Sequence, residues 1–330
     1  MLRTILAVAA AAVLSSSVAA QDYPARDIQG TIMWGAGGAT DNLARVVTPV
    51  VEAELGQKIV LVNRPGGAGA VSTQYVHSRP ADGYNILYGA ETPQIHQVLG
   101  LSKIDYDAFS PLVLFGRNLA VFVVKPDAPW KTMGELVADI KARPGKITAA
   151  TTGPGATPAV ALGILRASEN THVNQVPFDG EGPGLTALQG GHADFMPTSL
   201  PAATELLKSG RLPALAVLDL ESPEAFPDIP PITKDLPGTA KYLPWGTFQG
   251  VFVKADTPSG IVARLTDAFL KATKDPRVVE FVKSSGMVPM NTVGAEARAF
   301  INNWKSMTSW LLYDIGDAKI SPAEFDIPRP

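Results

Sequence analysis

Residues 33–41 read MWGAGGATD, a glycine-rich stretch with one acid and no lysine or arginine. It follows a short apolar run and precedes a helical pattern, and that placement suggests a particular chemistry. The start of a helix leaves several N–H groups without internal acceptors and carries about half a positive charge. Glycines let a ligand reach that backbone unobstructed, and such ends bind anions. A second junction of this kind, Gly153-Pro154-Gly155-Ala156-Thr157, precedes another helical pattern and follows Thr152. If both face one cleft, they suit a small molecule bearing a carboxylate. Asp41 would repel such a ligand. It is therefore expected to be occupied locally, accepting first-turn N–H bonds and fixing the loop, or to receive a donor from the ligand. A plain helix cap is the simpler alternative.

Other chemistries find little support. His77, His96, His172 and His192 have no neighbours at metal-ligand spacing, and neither metal nor cofactor is expected. His77 and His192 read as surface or turn residues, whereas His96, after a strand, could reach a cleft. The absence of cysteine excludes disulfides, thiol catalysis and thiolate metal sites. No nucleophile elbow, zinc-protease motif or phosphate-loop Gly-Lys-Ser/Thr occurs. Gly67–Ser72 imitates a dinucleotide loop but has serine at its third glycine position; Arg64-Pro65-Gly66-Gly67 reads better as a tight connection. Paired carboxylates depend on spatial proximity and stay open. Trp34 and Trp245 flank glycines and could wall a pocket, while Phe178 reads as core. A net charge of −3 gives no reason to expect nucleic acid or an anionic membrane surface.

The elements that must position these residues alternate. Strands are expected at 28–34, 58–63 and 85–89, then at 147–152, 173–178, 193–196 and 212–218. Between the first two, Leu43, Val46, Val47, Val50, Val51 and Leu55 recur at helical spacing, although Pro49 should kink that helix. Thr132–Glu135 is a capping box, and Thr157-Pro158 reads as a helix cap and first turn. Further helices are expected at 184–188, 202–208, after Asp275-Pro276 and at 295–313. Such alternation argues for an α/β fold with mostly parallel sheets flanked by helices.

Residues 1–20 read as a secretory leader: Arg3, an apolar run at 5–13, and small residues ending at Ala20. No lipid-attachment cysteine follows it. An exported, soluble, monomeric protein starting near Gln21 is expected. What remains suits two lobes. Val121–Lys125 (VFVVK) and Val251–Lys254 (VFVK) are near-copies. They read as paired crossings of a chain that leaves one lobe, builds a second and returns. Lobe 1 is then 21–122 with 249–330, and lobe 2 is 123–248.

The ordered motifs resemble the Bug-type solute receptors of tripartite tricarboxylate transporters. They include Tyr23-Pro24 with Arg26, Ala36-Gly37-Gly38 with Asp41 and Arg45, Asn63–Gly69, Pro80–Tyr84, Val176–Phe178 with Gly180, and Leu188–Asp194. Leu212–Val217 and Thr257-Pro258 extend the likeness over essentially the whole chain after the leader. The resemblance implies a two-lobed, venus-flytrap periplasmic receptor without catalytic activity. It would close on a small carboxylate and be recognised by membrane permease subunits. The implied ligand contacts are Gly35–Asp41 (Gly35, Ala36, Gly37, Gly38, Asp41) and Thr152–Thr157 (Thr152, Gly153, Ala156, Thr157). Glu91, Thr92 and Gln94, together with Asp179, Thr198 and Trp245, would border the cleft. Met33 stands where the family usually has proline, Trp34 where it has phenylalanine or tyrosine, and Glu91 in a loop usually small and neutral. These departures point to a bulkier ligand or one carrying a donor group. A receptor feeding a signalling kinase, and an enzyme using the cleft, are the competing readings.

Overall fold

Short apolar runs bounded by turn residues become strands wherever both faces are covered by helices. The computed structural model describes residues 23–330; the leader read in residues 1–20 lies outside them. Strands β1 (Ile28–Ile32), β2 (Ile59–Asn63), β3 (Asn85–Ala90) and β4 (Phe109–Asn118) precede the first crossing. Strands β5 (Ala120–Val124), β6 (Thr148–Thr151), β7 (Asn174–Pro177), β8 (Phe195–Ser199) and β9 (Ala214–Val217) follow it. The chain then returns through β10 (Thr247–Lys254) and ends its sheet structure with β11 (Val288–Thr292). The helices, in chain order, are α1 (Ala39–Leu55), α2 (Ala70–His77), α3 (Met133–Ala142), α4 (Thr157–Glu169) and α5 (Glu181–Gln189). They continue with α6 (Leu200–Lys208), α7 (Ser259–Ala272), α8 (Pro276–Ser284) and α9 (Gly294–Asp314).

Two sheets result, a six-stranded one in the order β11-β4-β10-β3-β1-β2 and a five-stranded one in the order β7-β6-β8-β5-β9. The two-lobed α/β expectation holds, but the sheets are mixed rather than mostly parallel. The reason is the double crossing. Strand β10 re-enters antiparallel to both β3 and β4, and β5 is inserted antiparallel to both β8 and β9. Only Leu119 separates β4 from β5. Each near-copy therefore lies within one sheet, and boundaries drawn at 122/123 and 248/249 would cut through strands. The crossings sit at Leu119 and just ahead of Thr247.

Local signals explain most of the elements. The capping box forms, with the Thr132 hydroxyl accepting from the Glu135 amide and the Glu135 carboxylate accepting from the Lys131 amide. Asp275 caps α8 by accepting from the Arg277 amide. Helix α1 runs unbroken through Pro49. Proline lies on its exposed side, where water can take the carbonyl of Arg45 that loses its donor. The start of α4 differs from expectation: Ala156 is the cap, without a side-chain bond, and Thr157 is already helical. The connection after Arg64 is a short turn, Gly67–Gly69, that leads directly into α2. Among the described residues, no helix is long and apolar enough to span a membrane.

Candidate functional site

Asp41 answers the question of how a glycine loop without its own cation is held. The cation comes one helical turn later. Arg45 donates to both Asp41 carboxylate oxygens at 3.0 and 2.8 Å. The Gly37 amide donates to Asp41 at 2.9 Å, and Asn63 Nδ2 donates both to Asp41 and to the Trp34 carbonyl at 2.9 Å. Burial pushes the Asp41 carboxyl upward, but the bonds from Arg45, Gly37 and Asn63 outweigh it and hold the group below the usual carboxylate range. Asp41 thus fixes the loop locally, although through Gly37, upstream of the helix, rather than through first-turn amides. It does not line the cavity described next.

That cavity lies where the two helices begin. Its wall is formed by Trp34, Gly38, Ala39 and Thr40 from the first junction and by Thr152, Ala156, Thr157 and Pro158 from the second. Ala90 and Glu91 contribute from the end of β3, Glu181 and Ser199 from the starts of α5 and α6, and Asn118, Thr247 and Gln249 from the crossing strands. Among the described residues, no acceptor takes the amides of Ala39, Thr40 or Thr157, as expected for a first helical turn. No lysine, arginine or histidine lines the space. Its volume, ≈ 20 Å³, is little more than one water needs. A larger groove of ≈ 780 Å³ runs between α8, β11 and residues 223–225, but it receives neither helix start.

The lobes meet closely around this space. The Gly35 amide donates to the Asp179 carbonyl at 3.2 Å. A Cβ at Gly182 would collide with the backbone of Ala36 and Gly37, so only glycine permits this approach. On the other side Gly155, at φ +77°, presses against Ile95 and Leu99 of the first lobe. The crossing strands supply the floor: the Thr157 hydroxyl donates to the Thr247 hydroxyl at 3.3 Å, and Asn118 Nδ2 donates to the same oxygen at 3.4 Å.

Two acids face the cavity under different conditions. Glu181 is surrounded by donors: the Thr198 hydroxyl at 3.0 Å, the Ser199 amide at 2.5 Å and the Ser199 hydroxyl at 2.6 Å. Glu91 is 3 % exposed, and no other residue among those described bonds to its carboxyl. Burial pushes that carboxyl up to about 8; its own backbone amide opposes the rise and the charge of Glu181 adds to it.

Of the residues expected from sequence, Trp34, Gly38, Glu91, Thr152, Ala156 and Thr157 come together on the cavity wall. The others serve differently. Gly35 and Asp179 form the interlobe bond, Ala36 and Gly37 meet Gly182, and Thr198 holds Glu181. Gly153 borders a separate opening with Pro154 and Arg166. Thr92 and Gln94 are buried behind Glu91, and Gln94 accepts from the Tyr106 amide. Trp245 is core, its indole donating toward Thr308. It does not wall the pocket because the segment before β10 turns it toward α9. His96 is also buried away from the cavity, with its ring nitrogens near the Ala68 and Ile104 carbonyls. Burial lowers its pKa, against the opposing effect of those two carbonyls. Among the described residues, no histidine–acid cluster is placed to hold a metal. Sequence reasoning missed Glu181, Ser199, Asn118, Thr247 and Gln249. Only the junction of acid and helix start at Gly180-Glu181 offered a signal.

Comparison with known proteins agrees with this architecture. The profile of the tripartite tricarboxylate transporter family receptors matches residues 43–316. A protein encoded in the tcbD–tcbE intergenic region of Pseudomonas sp. strain P51 is 30% identical, with 93% of this chain and 91% of that protein covered. Among solved structures, the periplasmic binding protein BugD superposes with a TM-score of 0.85 at 24% identity, over 90% of this chain and 99% of BugD. MatC from Rhodopseudomonas palustris, solved with bound malate, gives 0.79 at 24% identity, over 88% and 100%.

Proposed function

The chain belongs to the receptor family of tripartite tricarboxylate transporters, and from that premise we propose that it captures a small carboxylate between its lobes and presents the closed form to permease subunits in the periplasm. The lobes in this reading are the units built on the two sheets, with crossings at Leu119 and ahead of Thr247. The observation that carries the reading is the convergence of two unsatisfied helix starts, one per lobe, on a single cavity without a basic side chain. A carboxylate placed there takes donors from both sides only when the lobes are together. Binding therefore favours closure by the difference in affinity between the two states. The malate held by MatC is a ligand of the same chemical class.

A thermal-shift screen over mono-, di- and tricarboxylates tests the proposal. A ligand at a hundred times its Kd should stabilise the protein by about 2.7 kcal/mol. Binding should disappear when the carboxylate is replaced by the corresponding primary amide. A screen in which no carboxylate raises the melting temperature overturns the reading.

A further inference from the structure

Glu91 is an unusual group to find beside an anion site. It follows β3 directly, at the edge where α/β sheets hold their ligands. It is almost wholly buried on the cavity wall and has no protein partner beyond its own main chain. A buried acid in that condition is costly unless something donates to it. Glu181 cannot help, because it too is an acid and its donors come from Thr198 and Ser199. The other nearby titratable group, Tyr106, directs its hydroxyl to the Ala90 carbonyl at 2.5 Å.

Two of the remaining unpaired atoms on the wall are acceptors. Asn118 Oδ1 and Gln249 Oε1 are buried acceptors without donors, and the Thr40 hydroxyl is also unpaired. The cavity is thus lined by two sets of groups: donating amides at the starts of α1 and α4, and accepting oxygens on β4, β10 and at Glu91. A simple carboxylate satisfies the first set and leaves the second empty. It also adds negative charge near Glu181, whose oxygens already hold three donors.

We propose that Glu91 is a specificity-determining residue whose carboxylate receives a cationic nitrogen of the ligand, so that the cavity selects amino-bearing carboxylates over the corresponding unaminated acids. The ammonium group lies against Glu91 and the oxygens of Asn118 and Gln249, and the carboxylate lies on the helix amides. This inference rests on the carboxylate-receptor reading and narrows it. It also carries a proton consequence. Burial pushes the Glu91 carboxyl up to about 8, so a cation arriving near pH 7 is expected to displace a proton.

The test is calorimetric titration of the full chain with two matched pairs, succinate with L-aspartate and glutarate with L-glutamate. In at least one pair the amino-bearing member should bind at least about tenfold tighter, as expected when a buried acceptor gains or lacks its donor. Titration near pH 7 in buffers of different ionisation enthalpy should show about one proton released per ligand bound. Glu91→Gln should bring the preference within a pair to about twofold and abolish the proton release. Unaminated acids binding as well as their partners, a preference that survives Glu91→Gln, or binding without proton release overturns the inference. So does failure of both amino acids to bind. Binding of succinate or glutarate without an amino preference removes this inference and leaves the carboxylate receptor standing. Failure of a wider carboxylate panel removes both. Should Glu91→Gln not fold, the matched-pair preference of the unaltered protein, together with its proton release, decides the matter.

Discussion

The two glycine junctions hold their helix starts in place by different means. At the first, an acid, a base and an amide from one lobe lock the loop: Asp41 accepts from Gly37, Arg45 and Asn63. At the second, Ala156 offers no side-chain cap. Gly155 instead leans on Ile95 and Leu99, and Thr157 on Thr247, across the lobe boundary. One helix start is therefore held by side chains of its own lobe, whereas the other leans on the opposite lobe.

The sharpest way to break this comparison is at Gly182, where the first junction meets the second lobe. Gly182→Val should hold the lobes apart and weaken carboxylate binding by about a hundredfold, the cost of a roughly 3 kcal/mol bias against closure. The separate lobes should remain folded. Titration calorimetry gives the affinity, and solution X-ray scattering should show an enlarged radius of gyration. Tight binding by this variant would mean that closure is not needed.

Next in size, Asp41→Ala should leave Gly37 and Asn63 without their acceptor and cost about 2 kcal/mol, roughly 4–8 °C in melting temperature. A change of under a degree would show that the first loop is held by other means.

Two buried acids of the first lobe should respond to pH in opposite senses. The folded pKa of Asp41 is depressed, so its contribution is present above the unfolded value of 3.8 and lost as acid protonates it. The folded pKa of Glu91 is raised. Between the ordinary 4.5 and about 8 the folded chain binds the extra proton, so stability falls as pH rises through that window. Melting curves from pH 3 to 9 should lose their acid arm in Asp41→Asn and their alkaline decline in Glu91→Gln. An unchanged alkaline decline in Glu91→Gln would assign it to another group.

The smallest effect belongs to the second junction. Thr157→Val removes one long hydroxyl contact to Thr247 and should cost under about 1 kcal/mol in stability. Affinity should fall more than that loss implies, because the contact orients the helix start. Equal losses in both, measured side by side, would erase the asymmetry.

Much of this protein was legible in the order of its residues. Alternating apolar runs gave the α/β architecture, the capping box at Thr132 placed α3, and the twin runs at 121 and 251 became strands β5 and β10, each within one sheet. The glycine stretches pointed to both helix starts that meet at the cavity. These are short-range signals, set by backbone conformation and side-chain periodicity within a few residues. The rest arose from contacts between distant segments. Strand direction within each sheet followed from the double crossing, and Pro49 was tolerated because it lies on the exposed side of α1. Trp245 and Glu91 are both polar-tipped or charged residues near glycine turns, yet one faces α9 and the other the cavity. Glu181 and Glu91 have the same side chain, but one has three donors from other residues and the other only its own backbone amide. A sequence supplies the group and its immediate geometry; which donors surround it, and whether its charge survives burial, is decided only when separate elements pack together.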